Sequence, residues 1–567
     1  MRMKTGMLAV AFATALTNFA PTPVQASGLW GAYLAARQAE MSNDFEAAAR
    51  HYGQAMLLDP DDAVISENAL SAALALGDLD QAEAIASLMA DATDVSQIAN
   101  MVRVAARLRT GDLDPLVGQL SAGDVIGPLV DGLLHAWTVL GQGDTDGAIA
   151  AFDTVAKGNG FEGFANYHKA LALGVAGEFD RVVEVLTKGA GGLEKTRRGA
   201  IALAQAYGQL DRFEAATATL DGVFGATPDQ TILTLRARLA AGEPVPFDLV
   251  SSAKEGAAEV FFSVASALKG QTSDNYLILY SRVAEALNPA NIDALLLSAE
   301  LLENMEQFEL AVQSYDRVPA SHPAYLGASI GRANALRDAG KSEAAIEALE
   351  QLTTQFAAKP EVHSTLGNLY RQQEDFEQAK LAYDASLALR PEGDRNTWFV
   401  LYTRGITQER LGDWPAAEKD LRAALALRPE QPQILNYLGY SMVEQGINLT
   451  EALGMIETAV AARPDNGYIR DSLGWALYHL GRYPEAVQHM EAAVELVATD
   501  AEINDHLGDT YWAVGRFIEA HFQWSRALSL DPDVKGAERI RRKLEVGLDV
   551  VLDEEGAAPL RVADGSN

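Results

Sequence analysis

A spacing of 34 residues recurs along most of this chain and limits what it can become. Leu507-Gly508-Asp509-Thr510-Tyr511 is followed by Ala520, Trp524, Ala527 and Pro532. The same skeleton stands one period earlier as Leu473-Gly474-Trp475-Ala476-Leu477, then Ala486, Met490 and Ala493. It stands again as Leu366-Gly367-Asn368-Leu369-Tyr370, then Ala379, Tyr383 and Pro391. Small residues at the eighth, twentieth and twenty-seventh positions mark places where two helices touch, because a larger side chain would push the backbones apart. Large residues at the eleventh and twenty-fourth positions fill the space beside them. Proline at the thirty-second ends the second helix, having no N–H and clashing with the preceding turn. One such helix pair cannot bury its own apolar face, so the pairs must stack.

The small eighth position can be followed through Ala36, Leu70, Val104, Ala136, Ala170 and Ala204. It resumes at Ala265, Ala299, Ala333, Gly367, Gly405, Gly439, Gly474 and Gly508. A break falls near Gly242–Pro246, a four-residue insertion makes the loop Glu392–Asn396, and one residue is added near Gly446. This pattern resembles the tetratricopeptide repeat (TPR), a helix-turn-helix unit. The resemblance implies an all-α solenoid of about fourteen repeats wound into a right-handed superhelix. The expected organisation is a signal peptide over 1–26, a degenerate array over 27–241, an irregular break over 242–260 with a hinge expected at 242–247, and a stronger array over 261–532. One capping helix over 533–551, from Val534 to Val551, carries the basic run Arg539–Lys543, and a tail of 552–567 follows.

Arg2 and Lys4, the apolar run Met7–Leu16 and the small residues Val24-Gln25-Ala26 have the outline of a secretory signal. The mature protein is therefore expected in a bacterial periplasm or outside the cell. The chain has no cysteine, which excludes disulfides, thiolate metal sites, cysteine catalysis and a lipid anchored on cysteine. No internal stretch is long and apolar enough to span a membrane. A net charge of −33 argues against nucleic acid and anionic lipid and would attract basic partners. Plain solubility of a long exposed chain is the competing reading of that charge.

No catalytic constellation is present, and neither a cofactor nor a metal is expected. The histidines lie apart; His479, His489, His506 and His521 fall on different helices in the repeat register. Gly189, Gly191 and Gly192 suit an inter-repeat turn. Thr450 before Glu451 reads as a helix start within Asn448-Leu-Thr450.

The chemistry expected is recognition. In the TPR superhelix the first helix of each pair lines the concave face, with positions two, five, nine and twelve pointing inward. Asn334 and Arg337 occupy two of them, and Asn368 and Arg371 occupy the same two in the next repeat. Asparagine can grip a peptide backbone through donor and acceptor, and arginine forks a carboxylate. The pattern resembles the ladders and carboxylate clamps of peptide-binding TPRs. Further along the positions turn aromatic: Phe399 and Tyr402, Tyr440, then Tyr468, Trp475 and Tyr478, then Trp512. These read either as a binding patch or as packing between neighbouring units, whereas Tyr511 and Trp524 belong to the core. Acidic positions (Asp293, Glu300, Glu303, Asp471, Glu502, Asp505 and Asp509) could select basic segments.

The phrases Leu435–Tyr440, Tyr468–Trp475 and Asp505–Asp509 are similar to those of long bacterial envelope TPR proteins. Some of that family are outer-membrane lipoproteins that act as adaptors of carboxyl-terminal processing proteases. The resemblance implies a non-enzymatic scaffold for protein or peptide partners, a processing protease among them. The missing lipidation cysteine departs from the family's membrane tether. The alternative is a regulatory or structural spacer subunit of an envelope enzyme complex, with no groove ligand of its own.

Overall fold

A computed structural model describes residues 28–560, apart from 90–95, 124, 189–194, 226–227 and 395. The signal segment 1–26, the glycines Gly189, Gly191 and Gly192, and residues 561–567 of the tail lie outside the described residues. The described residues form thirty-one α-helices and no strand, in two compact units, Met1–Ala345 and Ile346–Asn567.

The first unit begins with the pairs α1 (Leu29–Met41) and α2 (Phe45–Leu58), α3 (Ala63–Leu76) and α4 (Leu79–Leu88), α5 (Gln97–Thr110) and α6 (Asp114–Ala122). It continues with α7 (Pro128–Gly141) and α8 (Thr145–Val155), α9 (Glu162–Val175) and α10 (Phe179–Lys188), α11 (Arg197–Gln209) and α12 (Phe213–Phe224), then α13 (Gln230–Ala240). After a non-helical stretch come α14 (Ala253–Leu268), α15 (Asp274–Leu287), α16 (Ile292–Asn304), α17 (Phe308–Asp316) and α18 (Tyr325–Asp338). Helix α19 (Ser342–Gln355) runs across the division. The second unit holds α20 (Pro360–Gln372) and α21 (Phe376–Leu389), α22 (Thr397–Arg410) and α23 (Trp414–Leu427), α24 (Pro432–Glu444) and α25 (Leu449–Ala462). It ends with α26 (Gly467–His479) and α27 (Tyr483–Leu496), α28 (Ala501–Ala513) and α29 (Phe517–Ser529), α30 (Val534–Val546) and α31 (Leu548–Glu554).

Local chemistry starts these helices. The carboxylates of Asp44, Asp78, Asp144, Asp375 and Asp413 accept the backbone N–H three residues on, each opening the second helix of a pair. Such caps contribute about 1 kcal/mol apiece, so part of the acidic excess is structural. In the second unit the small eighth position meets the large twenty-fourth. A Cβ placed on Gly367 would stand 2.7 Å from the Tyr383 ring, on Gly405 2.8 Å from Leu421, and on Gly508 2.4 Å from Trp524. Tyr511 and Trp524 are buried, as the repeat register requires.

Three features depart from the sequence reading. The expected break over 242–260 is shorter, since α14 already starts at Ala253. There the chain turns back: α14 and α15 pack on α3, α5, α7 and α9, the first helices of the preceding pairs. Gly256 of α14 lies against the Trp137 ring, where a Cβ would come within 2.2 Å. Arg282 of α15 donates from Nε to the Ala75 carbonyl at 3.1 Å, at the end of α3. The Trp137 indole N–H donates to His168 Nδ1 at 3.1 Å, so the proton sits on Nε2 and is given to Ser263 Oγ of α14, also at 3.1 Å. Burial, and then the nearby Arg198, hold His168 down to a pKa of about 3, so it is a neutral bridge.

Second, the terminal cap is two helices. Gly547 at φ 85° lets the chain leave α30 in the left-handed region and start α31 at once. Third, α25 begins at Leu449, with Asn448 at φ 48° and no side-chain cap, so Thr450 lies inside the first turn and is not its N-cap.

Candidate peptide-binding face

In the first unit the inner face of α3 to α9 is occupied by the chain itself. The sequence-derived polar positions that remain are engaged locally. Arg337 donates from Nε and Nη2 to Asp338 at 2.8 and 2.9 Å, and from Nη1 to Asn334 Oδ1 at 3.3 Å. The acidic positions expected to select basic segments also have partners within the unit. Asp293 pairs with Arg198, Glu300 with Lys269, and Glu303 accepts from the Tyr315 hydroxyl at 3.2 Å.

The second unit brings the other candidates together differently. Asn368 and Arg371 share one face of α20. The side-chain Oδ1 of Asn368 accepts from the Tyr383 hydroxyl at 2.8 Å. Arg371 is half-buried beside Tyr383 and Tyr402, and its Nε has no hydrogen-bond partner among the described residues. Tyr402 packs edge-on to Tyr437, with ring centroids 5.9 Å apart, and the Tyr437 hydroxyl donates to Glu409 at 3.1 Å. Next to Tyr437, Asn436 Oδ1 is buried and likewise without a partner among the described residues. Phe399, at the start of α22, keeps 42% of its surface exposed. Asn436 was missed from sequence, although it occupies the fifth position of α24 and the repeat register alone would have found it.

The remaining aromatic positions do not face solvent as a binding patch would. Tyr478 is buried, and Tyr440, Trp475 and Trp512 are half-buried against neighbouring helices. The Tyr440 hydroxyl donates to Glu502 at 3.1 Å, and the Trp475 indole N–H to Glu444 at 2.7 Å. Tyr478 stacks on Trp475 with centroids 4.8 Å apart. Only Tyr468 stays 57% exposed. The reading as packing between units therefore describes most of these residues.

His506 lies within this cluster. It donates from Nδ1 to Asp471 at 3.1 Å and stacks on Trp475 with centroids 3.9 Å apart. Burial opposes its charge, but Asp471 and then Glu502 and Asp505 outweigh it and raise the pKa to about 9. The sign follows from linkage: a pKa raised above the ordinary value of about 6.5 stabilises the fold fully below pH 6.5, and that contribution is lost as pH rises through about 9. Exchanging His506 for Gln should therefore flatten the fall in stability of the second unit between pH 6.5 and 9.5. The measurement is hydrogen exchange of α26 and α28 across that range; an unchanged pH profile in His506→Gln would refute the assignment.

The last acidic pair is filled by the chain's own terminus. Lys543 of α30 is fully buried and donates to Asp505 and Asp509, both at 2.6 Å. Arg539 adds a bond to Asp509 at 3.3 Å, and the Trp512 indole N–H donates to Asp549 of α31 at 3.0 Å. The basic run thus plugs the end of the stack rather than merely covering it. His479, His489, His506 and His521 lie on α26, α27, α28 and α29, one on each, and no metal-holding cluster occurs among the described residues. No described helix is long and apolar enough to cross a membrane.

Comparison with known proteins agrees with the repeat. Residues 296–363, 402–447 and 448–501 match the family described as Tetratricopeptide repeat, and 360–392 match a second profile of the same description. The TPR repeat-containing protein PA4667 of Pseudomonas aeruginosa is 28% identical over 199 residues, which is 34% of this chain. The match spans about a third (32%) of that relative's length. Among solved structures, the Cut9–Hcn1 hetero-tetramer of APC/C is similar at 14% identity and a TM-score of 0.39, covering 91% of this chain and 96% of that one. YrrB, described as a TPR protein with an unusual peptide-binding site, is similar at 21% identity and a TM-score of 0.28, covering 35% of this chain and 99% of that one.

Proposed function

We propose that this chain, built from tetratricopeptide repeats, is a non-enzymatic scaffold that holds an extended peptide segment of a protein partner against α20, α22 and α24. One observation carries the proposal. On these helices Arg371 Nε and Asn436 Oδ1 lack partners among the described residues, and Phe399 is exposed. A buried donor or acceptor left unmade costs about 1–3 kcal/mol, and a peptide backbone or carboxylate would supply the missing bonds once these two side chains turn toward it. The exposed ring gives such a segment an apolar anchor.

The cell envelope is the proposed setting, supported by the signal-like residues 1–26 and the family likeness of residues 435–509. The sharper version is an adaptor for a processing protease. A second reading, a spacer without a ligand, draws support from the helices that fill the inner face of α3 to α9 and the end of the second stack.

Photo-crosslinking separates the two readings. A crosslinking residue at Phe399 should capture specific envelope proteins, whereas one at Leu381, exposed on α21, should not. Replacing Arg371 and Asn436 together by Ala should reduce capture about tenfold with helicity unchanged. Equal capture from positions 399 and 381 would leave the spacer. Recovery of a protease with its substrates would support the adaptor version, and amino-terminal sequencing of the recovered protein would test cleavage near Ala26.

A further inference from the structure

The return of α15 onto α3 creates a cleft of about 360 Å³ in the first unit, built from none of the residues of the proposed peptide face. Three arginines from separate elements line it: Arg109 in the last turn of α5, Arg282 on α15 and Arg317 just after α17. In a chain with 45 basic against 78 acidic residues, such convergence of one sign runs against the composition.

The local charges do not balance. Arg282 has a side chain only 7% exposed, and Glu285 one only 4% exposed. The Glu285 carboxylate receives both Arg282 Nη1, at 3.3 Å, and Arg317 Nη1. Two guanidinium groups therefore share one carboxylate, and neither has another carboxylate partner among the described residues. Arg109 turns to Glu83 at 3.0 Å and to the exposed Asp80, neither of which lines the cleft. Arg282 and Glu285 are buried while the Arg317 side chain is 42% exposed, so the excess positive charge stands at the open side of the cleft, where an anion from solution would balance it.

One donor of the buried guanidinium is left for it. Arg282 Nε is committed to the Ala75 carbonyl and Nη1 to Glu285 and Ser314, while Nη2 has no protein partner among the described residues. Ser314 Oγ donates to the Leu310 carbonyl, which fixes its position at the wall. Guanidinium groups approaching from three elements suit a tetrahedral oxyanion better than a planar carboxylate. We propose that this cleft binds a small soluble phosphate compound, held by Arg282 and Arg317 with Arg109 at its mouth. The bound oxyanion would tie α5, α15 and the end of α17 together and so hold the returned helix in place.

The probe is inorganic phosphate, titrated into the full chain at fixed ionic strength against chloride. Phosphate well above its Kd should raise the melting temperature of the first unit saturably, by about 4 °C. Arg317→Gln, at a side chain 42% exposed, should remove the shift while far-UV circular dichroism stays unchanged. Arg109→Gln provides a second test that leaves Glu285 and its partners intact. Arg482→Gln, in the second unit, should keep the full shift. A shift that never saturates, or one equally large in Arg317→Gln and Arg109→Gln, would overturn the site and leave only a general salt effect.

Discussion

Replacing Glu259 by Ala is expected to lower the stability of the first unit by about 3–5 kcal/mol, the range for stripping one partner from a buried ion pair. Glu259 of α14 is fully buried. Its carboxylate accepts Arg198 Nε and Nη2 of α11, both at 2.6 Å, and the Tyr167 hydroxyl of α9 at 2.7 Å. Arg198 also reaches Asp293 of α16 and lies over the Phe262 ring at 4.9 Å. Without Glu259 the guanidinium keeps the partly exposed Asp293 as its one carboxylate and a bond from Nε to the Tyr167 hydroxyl at 3.3 Å, while that hydroxyl loses its own acceptor. The penalty should appear as faster hydrogen exchange across α9, α11 and α14 together, because these three helices meet at the carboxylate. An apolar double replacement, Arg198→Met with Glu259→Leu, should recover most of the loss, since it removes both charges from the interior. Full protection of α14 in Glu259→Ala would mean that the returned helix is held by apolar contact alone.

A second large effect is expected at Gly439, where a Leu should cost about 3 kcal/mol through overpacking. A Cβ at Gly439 would stand 2.7 Å from Ile456 Cγ1 and 3.0 Å from the Ala452 backbone carbonyl. The carbonyl belongs to α25 and can yield only if the helix moves. At Gly474 the obstruction is the Met490 side chain at 2.7 Å, a flexible chain that can swing aside. Gly474→Ala should therefore be tolerated better than Gly439→Ala, although both hold the same position in the repeat. Limited proteolysis and urea unfolding of the two variants give the ranking; equal losses would show that the helix pairs adjust as freely at a backbone contact as at a methionine. Two-state analysis does not suit a repeat array, so local protection is the better readout.

The sequence alone determined the repeat, its register and the fold class. The eighth-position residues from Ala36 to Gly508 are buried, and Gly367, Gly405 and Gly508 meet the large side chains that the 34-residue spacing assigns to them. That contact is legible because it lies within one helix pair, where a fixed offset of sixteen residues joins the two partners. The break near residue 242 was legible as well, since Gly and Pro interrupt the pattern there.

Only the tertiary structure decided which faces remain open. Nothing local says that α14 and α15 return onto α3, α5, α7 and α9, because those contacts join residues far apart in sequence. One trace was present: Ala69 to Leu76 of α3 is apolar on almost every side, as a helix covered on both faces should be. The acidic positions misled for the same reason. Asp293, Glu300, Asp505 and Asp509 look free in the repeat register, yet Arg198, Lys269 and Lys543 reach them from other helices. Repeat spacing fixes where a side chain starts; packing between distant helices fixes what it meets, because burial leaves no charge without a partner at low cost.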